Sequence, residues 1–176
     1  MGVPCLYKRL APGSLEDTLT TPLILKQWAR ATRWPGGAAV FSWVVGRAAR
    51  YTGTIGARVM RLEPGRAEVR MRDRRGVRNH LRSVHAVATI NLGELAGSLA
   101  LMTAQPPGTR WIVTGLAARY LKKARGSLVA TCEAPEIDWT QDGEHEGLVA
   151  VRDAAGDLVT EVRLSWRVGP IREPKS

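Results

Sequence analysis

At 176 residues the chain is long enough for one domain with a real core, and 44% hydrophobic with 24% charged residues is the balance of a folded globule. The formal net charge of +10 predicts an anionic partner: nucleic acid, an anionic membrane surface, or a phosphorylated cofactor or substrate. Cys5 and Cys132 lie far apart without metal-ligand spacing, which argues against a metal site and for a reducing compartment.

The opening stretch MGVPCLYKRLAPGS has no apolar h-region of a signal peptide. Position six of the myristoylation pattern holds Leu6 instead of Ser or Thr, so a cytoplasmic location is expected. Residues 1–20 carry Pro4, Pro12, Gly13 and Ser14 without a sustained period and read as a flexible arm. A helical extension is expected over residues 21–52. Pro22 suits a first helical position, LILKQWARATRW has helical spacing, and Pro35-Gly36-Gly37 stops it. A second helix, Ala38 to about Arg50, ends on Arg47 and Arg50, matching the helix dipole. Trp28, Trp34, Phe41, Trp43 and Tyr51 crowd this pair, which suits a lid, a membrane contact, or plain packing on the main domain.

Strands are expected from Ile55 to Leu62 and from Arg66 to Arg72, joined by the turn Glu63-Pro64-Gly65. A long apolar helix follows from Val84 to about Ala104, stopped by Gln105-Pro106-Pro107-Gly108. Every later segment reads as β: Trp111–Lys122, Ser127–Glu133, Gly147–Asp153 and Leu158–Val168, the last two joined by a turn at Ala154–Asp157. Strands on both sides of one dominant helix indicate an α+β domain over residues 53–170, a curved antiparallel sheet around the helix, with residues 171–176 as a tail.

The helix bears small residues on all sides, and Gly93 and Gly97 each cost roughly 1 kcal/mol against Ala inside a helix, so close backbone approach is expected there. Its most informative residue is Glu94, an acid amid apolar neighbours. A membrane span is disfavoured by that acid, which costs roughly 2.5–3.5 kcal/mol at a bilayer centre. Two readings remain open: an ion pair with one of the many arginines, or a functional carboxylate.

Asn79, His85 and Glu94 together with the element order resemble the hotdog-fold acyl-CoA thioesterases, phenylacetyl-CoA thioesterase-like members above all. Those members place an Asn, then a His-Gly-Gly at the helix start, then an acid, at the intervals found here. The run RRGVRNHLRSVHAVATINLGELAG is similar to a bacterial branch described as a domain of unknown function related to these enzymes. The resemblance implies Glu94, Asn79 and His85 as catalytic residues. It implies Ala86, Val87, Tyr120, Lys122, Lys123, Arg125 and Gly126 as the residues that meet the acyl group and coenzyme A. Two departures stand out: Ala86 and Val87 replace the two glycines, and the acid is Glu where the family has Asp.

Geometry adds an independent expectation. Glu94 lies nine residues along the helix from His85, roughly 13–14 Å and half a turn away, so one thioester cannot touch both. A site needing the helix-start amides and this acid draws them from two chains, which implies a two-fold homodimer, with pairing of dimers into tetramers left open. Amides near His85 and Ala86 would serve as oxyanion donors at the positive end of the dipole. His85 itself suits fixing the helix start better than moving protons.

The expected function is therefore hydrolysis of a fatty or aromatic acyl thioester on coenzyme A or an acyl carrier. No cofactor beyond coenzyme A within the substrate, and no metal, is required. The alternative is a non-catalytic lipid or acyl-thioester binding protein using the same tunnel. The basic group Arg70, Arg72, Arg74, Arg75, Arg78 and Arg82 suits an acyl-carrier protein or anionic lipid. Nucleic acid is disfavoured, because no helix-turn-helix, zinc-finger or RRM signature accompanies the charge.

Overall fold

The long helix begins at Ala86, two residues later than its apolar run suggests, because His85 is extended and caps it. The computed structural model describes residues 21–172; the arm expected over 1–20 and tail residues 173–176 lie outside them. The elements in order are α1 (Leu23–Ala31), α2 (Gly37–Ala48), the single turn α3 (Arg50–Gly53), β1 (Arg58–Glu63) and β2 (Arg66–Met71). After a 3-10 turn at Arg75–Val77 come α4 (Ala86–Ala104), β3 (Thr109–Tyr120), β4 (Leu128–Glu133), β5 (Gly143–Arg152) and β6 (Leu158–Pro170). The six strands form one antiparallel sheet in the order β1-β2-β4-β5-β6-β3. This is the α+β hotdog architecture expected from the sequence, with helices before the sheet.

Other boundaries differ from expectation as well. The strand placed at Ile55 starts at Arg58, because residues 50–56 close into α3 and a turn at Gly56, where φ is +60°. The second helix stops at Ala48, since Ala49 leaves helical geometry. The strand placed at Gly147 begins at Gly143, where pairing to Val168 of β6 already holds it.

α4 is the axis of the core. Leu92, Ala96, Leu99 and Ala100 are buried against strands whose inward residues, among them Val69, Met71, Leu128, Ala130, Val162 and Leu164, are buried as well. The helix is long and apolar enough to cross a membrane, but most of its surface is buried inside the protein. Its small residues set how close the sheet comes. A Cβ on Gly93 would lie 2.7 Å from Val162 Cγ2, and one on Gly97 2.9 Å from Leu164 Cδ1.

The N-terminal helices are fastened to the sheet. Trp28 meets Phe41 edge to face at 5.1 Å. The buried Ser42 hydroxyl accepts the Val59 N–H at 2.9 Å and donates to the Ala38 carbonyl at 2.6 Å. An edge-strand amide that would otherwise be buried unpaired is thus satisfied.

Gly93→Ala should lower stability in urea denaturation by about 1 kcal/mol net, because overpacking of about 1–3 kcal/mol outweighs the roughly 1 kcal/mol gained in helix propensity. A variant as stable as the parent would contradict this contact.

Candidate active site

The helix start is built from a tight turn and a crossing strand end. The Asn79 Oδ1 accepts the Leu81 N–H (2.9 Å), the Ser83 N–H (3.2 Å) and the Ser83 hydroxyl (3.1 Å). This holds the turn in which Arg82 takes a left-handed φ of +57°, rare for a residue with a Cβ. Asn79 therefore spends its carbonyl on the turn and has only its amide N–H groups for a ligand.

The amides expected to face a thioester are mostly engaged. The His85 N–H donates to the Val77 carbonyl (2.8 Å), and the Val84 N–H donates to the Ala124 carbonyl (2.8 Å). The His85 Nδ1 accepts the Val87 N–H (3.1 Å), so the imidazole caps the helix as an acceptor and its Nε2 carries the ring proton. The expectation of amides from both His85 and Ala86 is corrected to one: the Ala86 N–H has no acceptor among the described residues.

Two pockets flank this point. One, of about 400 Å³, is lined by Asn79, Ala86, Thr89, Tyr120, Lys122, Lys123 and Thr160, with further apolar groups. Tyr120 lies beside Thr89; partial burial pushes its phenol up, and the Thr89 hydroxyl pulls the other way. The other pocket, of about 360 Å³, holds His85, Val87 and Asn91 with Tyr51 and Arg78. The structure thus gathers Asn79, Ala86, Tyr120, Lys122 and Lys123 on one side of the helix start, and His85 and Val87 on the other. Asn91 is 4% exposed, and its Oδ1 has no hydrogen-bond partner. Sequence reasoning passed over Asn91 as a site residue, although an amide three residues before Glu94 in an apolar helix was its visible signal.

Lys122 is occupied. Its Nζ pairs with Asp153 at 3.0 Å and Asp157 at 2.5 Å, which raises its pKa and clamps the β5–β6 turn. A phosphate would have to compete with two carboxylates there. Lys123 and Arg125 are exposed with no ion-pair partner among the described residues. The Gly126 N–H donates to Asp73 Oδ2 at 2.9 Å, and Arg78 Nε lies 2.6 Å from Asp73 Oδ1.

Glu94 lines neither pocket. Spaced at 100° per residue, Val87, Ile90, Glu94 and Ser98 fall on one arc of α4, and none of the four is buried. Glu94 sits half-buried in the middle of this arc and makes no ion pair or hydrogen bond among the described residues. The arginine partner considered for it is not found. Cys132 offers no alternative nucleophile: it is buried, with its thiol pushed up to about 12 mainly by burial. Among the described residues no group of three or more His, Cys, Asp or Glu could hold a metal ion.

The model of a family described as a domain of unknown function, DUF4442, matches residues 37–168. A solved structural-genomics protein is 30% identical, with a TM-score of 0.73, covering 84% of this chain and 98% of its own. A Pseudomonas aeruginosa protein described as a probable thioesterase is 21% identical, with a TM-score of 0.66 over 78% of this chain and 97% of its own. A thioesterase of Haemophilus influenzae is 16% identical, with a TM-score of 0.63 over 72% and 87%. The last two are likenesses of fold. No curated protein matches the sequence.

The Asp73 brace carries a pH signature. Its hydrogen bond from Arg78 holds the carboxyl below the usual range, joined by the Gly126 amide and opposed by burial. A depressed folded pKa gives stability that is complete above the unfolded value and lost as pH falls through the folded one. In melting experiments the gap between the parent and Asp73→Asn should be constant near neutrality and shrink below about pH 4. A gap that persists unchanged into that acid range would contradict the brace.

Proposed function

Because the chain belongs to the DUF4442 family and has the thioesterase-like hotdog scaffold, we propose that it hydrolyses a fatty or aromatic acyl thioester, carried on coenzyme A or an acyl carrier, at a site shared by two subunits. The observation that carries the reading is Glu94: a half-buried carboxylate with no partner among the described residues, set among Val87, Ile90 and Ser98, none of which is buried. Leaving such a group half-buried and unpaired costs stability, which points to use.

The edge of the sheet supports a second subunit. β3 is twelve residues long and among the described strands pairs only with β6, so its other side presents a row of backbone donors and acceptors, irregular between Val113 and Gly115. Leu116 and Tyr120, opposite Leu164 and Thr160 of β6, are exposed on the face that carries α4. A partner laid along this edge covers the apolar residues and brings its own helix start toward Glu94.

In the proposed reaction the Ala86 N–H meets the thioester oxygen as charge develops, and the Asn79 amide orients the carbonyl. Glu94 of the other subunit takes a proton from water as the water oxygen bonds to the carbonyl carbon. The C–S bond then breaks, and the departing thiolate takes that proton from Glu94 as the acid is released, returning the carboxylate. Lys123 and Arg125 meet the phosphates of coenzyme A, with Lys122 held back by its two aspartates.

A binding role without turnover is the second reading. One uncommitted amide is a thin oxyanion hole, and Val87, 47% exposed, stands where the resembled family has glycine.

Glu94→Gln should lower turnover of acyl-CoA esters, followed by free-thiol release, about 10²–10⁴-fold while the protein melts no lower than the parent. Unchanged turnover would remove Glu94 from the mechanism. No turnover by the parent, together with a co-purifying acyl lipid, would establish the binding role instead.

A further inference from the structure

The sequence from Thr21 to Leu62 contains no Asp or Glu, while Lys26, Arg30, Arg33, Arg47 and Arg50 lie within its helical part. All five cations are exposed, and none has an ion-pair partner among the described residues. Interleaved with them are side chains that ordinarily avoid water. Trp34 is 74% exposed in the α1–α2 turn; Val40, Trp43 and Val44 are 62%, 66% and 51% exposed along α2. Their i, i+3, i+4 spacing puts these three on one stripe, which Arg47 continues a turn later, its guanidinium 5.7 Å from the Trp43 ring centre. The opposite side of α2 is spent on the core through Phe41 and Ser42, so the stripe is surplus to folding.

We propose that the outer stripe of α2 and the Trp34 turn dock this protein on an anionic phospholipid bilayer. Indole rings favour the boundary between headgroups and acyl chains, and unopposed arginines are drawn to anionic headgroups. An acid-free, tryptophan-bearing surface fits that chemistry better than an acidic protein partner, whose contact would favour paired polar groups over bare valines. A pocket of about 590 Å³ opens beside the stripe between α2 and β1. Trp43, Arg47, Arg50 and Arg58 line it together with Leu95 of α4, and no carboxylate does. A docked bilayer would present a lipid phosphate to three arginines there. The inference stands apart from the hydrolase reading, because it uses none of that site's residues.

The full chain should float with vesicles of phosphatidylcholine and phosphatidylserine and not with phosphatidylcholine alone, and added salt should release it. Lipids brominated on their acyl chains should quench its tryptophan emission. Trp34→Ser with Trp43→Ser should cut vesicle binding at least tenfold and remove most of that quenching. Each of Arg30→Gln and Arg33→Gln should weaken binding about fivefold. Circular dichroism and hydrolysis of soluble thioesters should match the parent in all four substitutions. Absence of flotation, flotation indifferent to the tryptophan pair, or shielding of Trp34 and Trp43 from acrylamide in vesicle-free protein would overturn the proposal. The last result would mean that a second copy or the first 20 residues already cover the stripe.

Discussion

The fold depends on how closely one helix can lie in the hollow of its sheet. Gly93 and Gly97 let β6 come within contact of the α4 backbone, and Ala96 and Ala100 keep the neighbouring arc narrow. With three sides of the helix wrapped, one arc is left over. Among the described residues the six-stranded sheet is open at both edges and leaves the remaining arc, with Glu94 at its centre, incompletely covered. Site, edge strand and proposed partner all follow from that incomplete enclosure.

The helix start shows how strongly secondary structure competes with chemistry for the same atoms. First-turn amides are natural anion donors, yet here two of the neighbouring N–H groups are engaged by Val77 and by the His85 ring. Asn79 likewise lends its oxygen to a turn before it can lend it to a ligand. What remains for a substrate is one main-chain N–H and one side-chain amide. Ala86 and Val87 stand beside these groups, where a closer approach would demand glycine.

Most of the architecture could be read from local pattern. Pro106, Pro107 and Gly108 end the helix unmistakably, and alternation in β2 announces a strand with one wet face. The misplacements occurred where two signals overlapped: Ile55 is as buried as a strand residue, but Gly56 turns the chain directly after it. Site details were less legible because their partners are distant in sequence. Nothing near Lys122 foretells Asp153 and Asp157, which belong to a turn more than thirty residues on. Nor does the spacing of Asn79, His85 and Glu94 reveal that the first two fall into different pockets. The N-terminal aromatics were visible from the start; that Phe41 turns inward while Trp43 stays out required the packing of α2 on β1.

The central claim is that each site takes its helix start from one subunit and its carboxylate from the other, and subunit mixing tests it most directly. Asn79→Ala and Glu94→Gln chains, each inactive alone, are dissociated, combined in equal amounts and reassembled. If the site is shared, half the dimers are mixed and each holds one intact site, so thioester hydrolysis should return to about a quarter of the parental rate. Mixed dimers that form and remain inactive would show that both residues serve the same subunit, and would contradict the account.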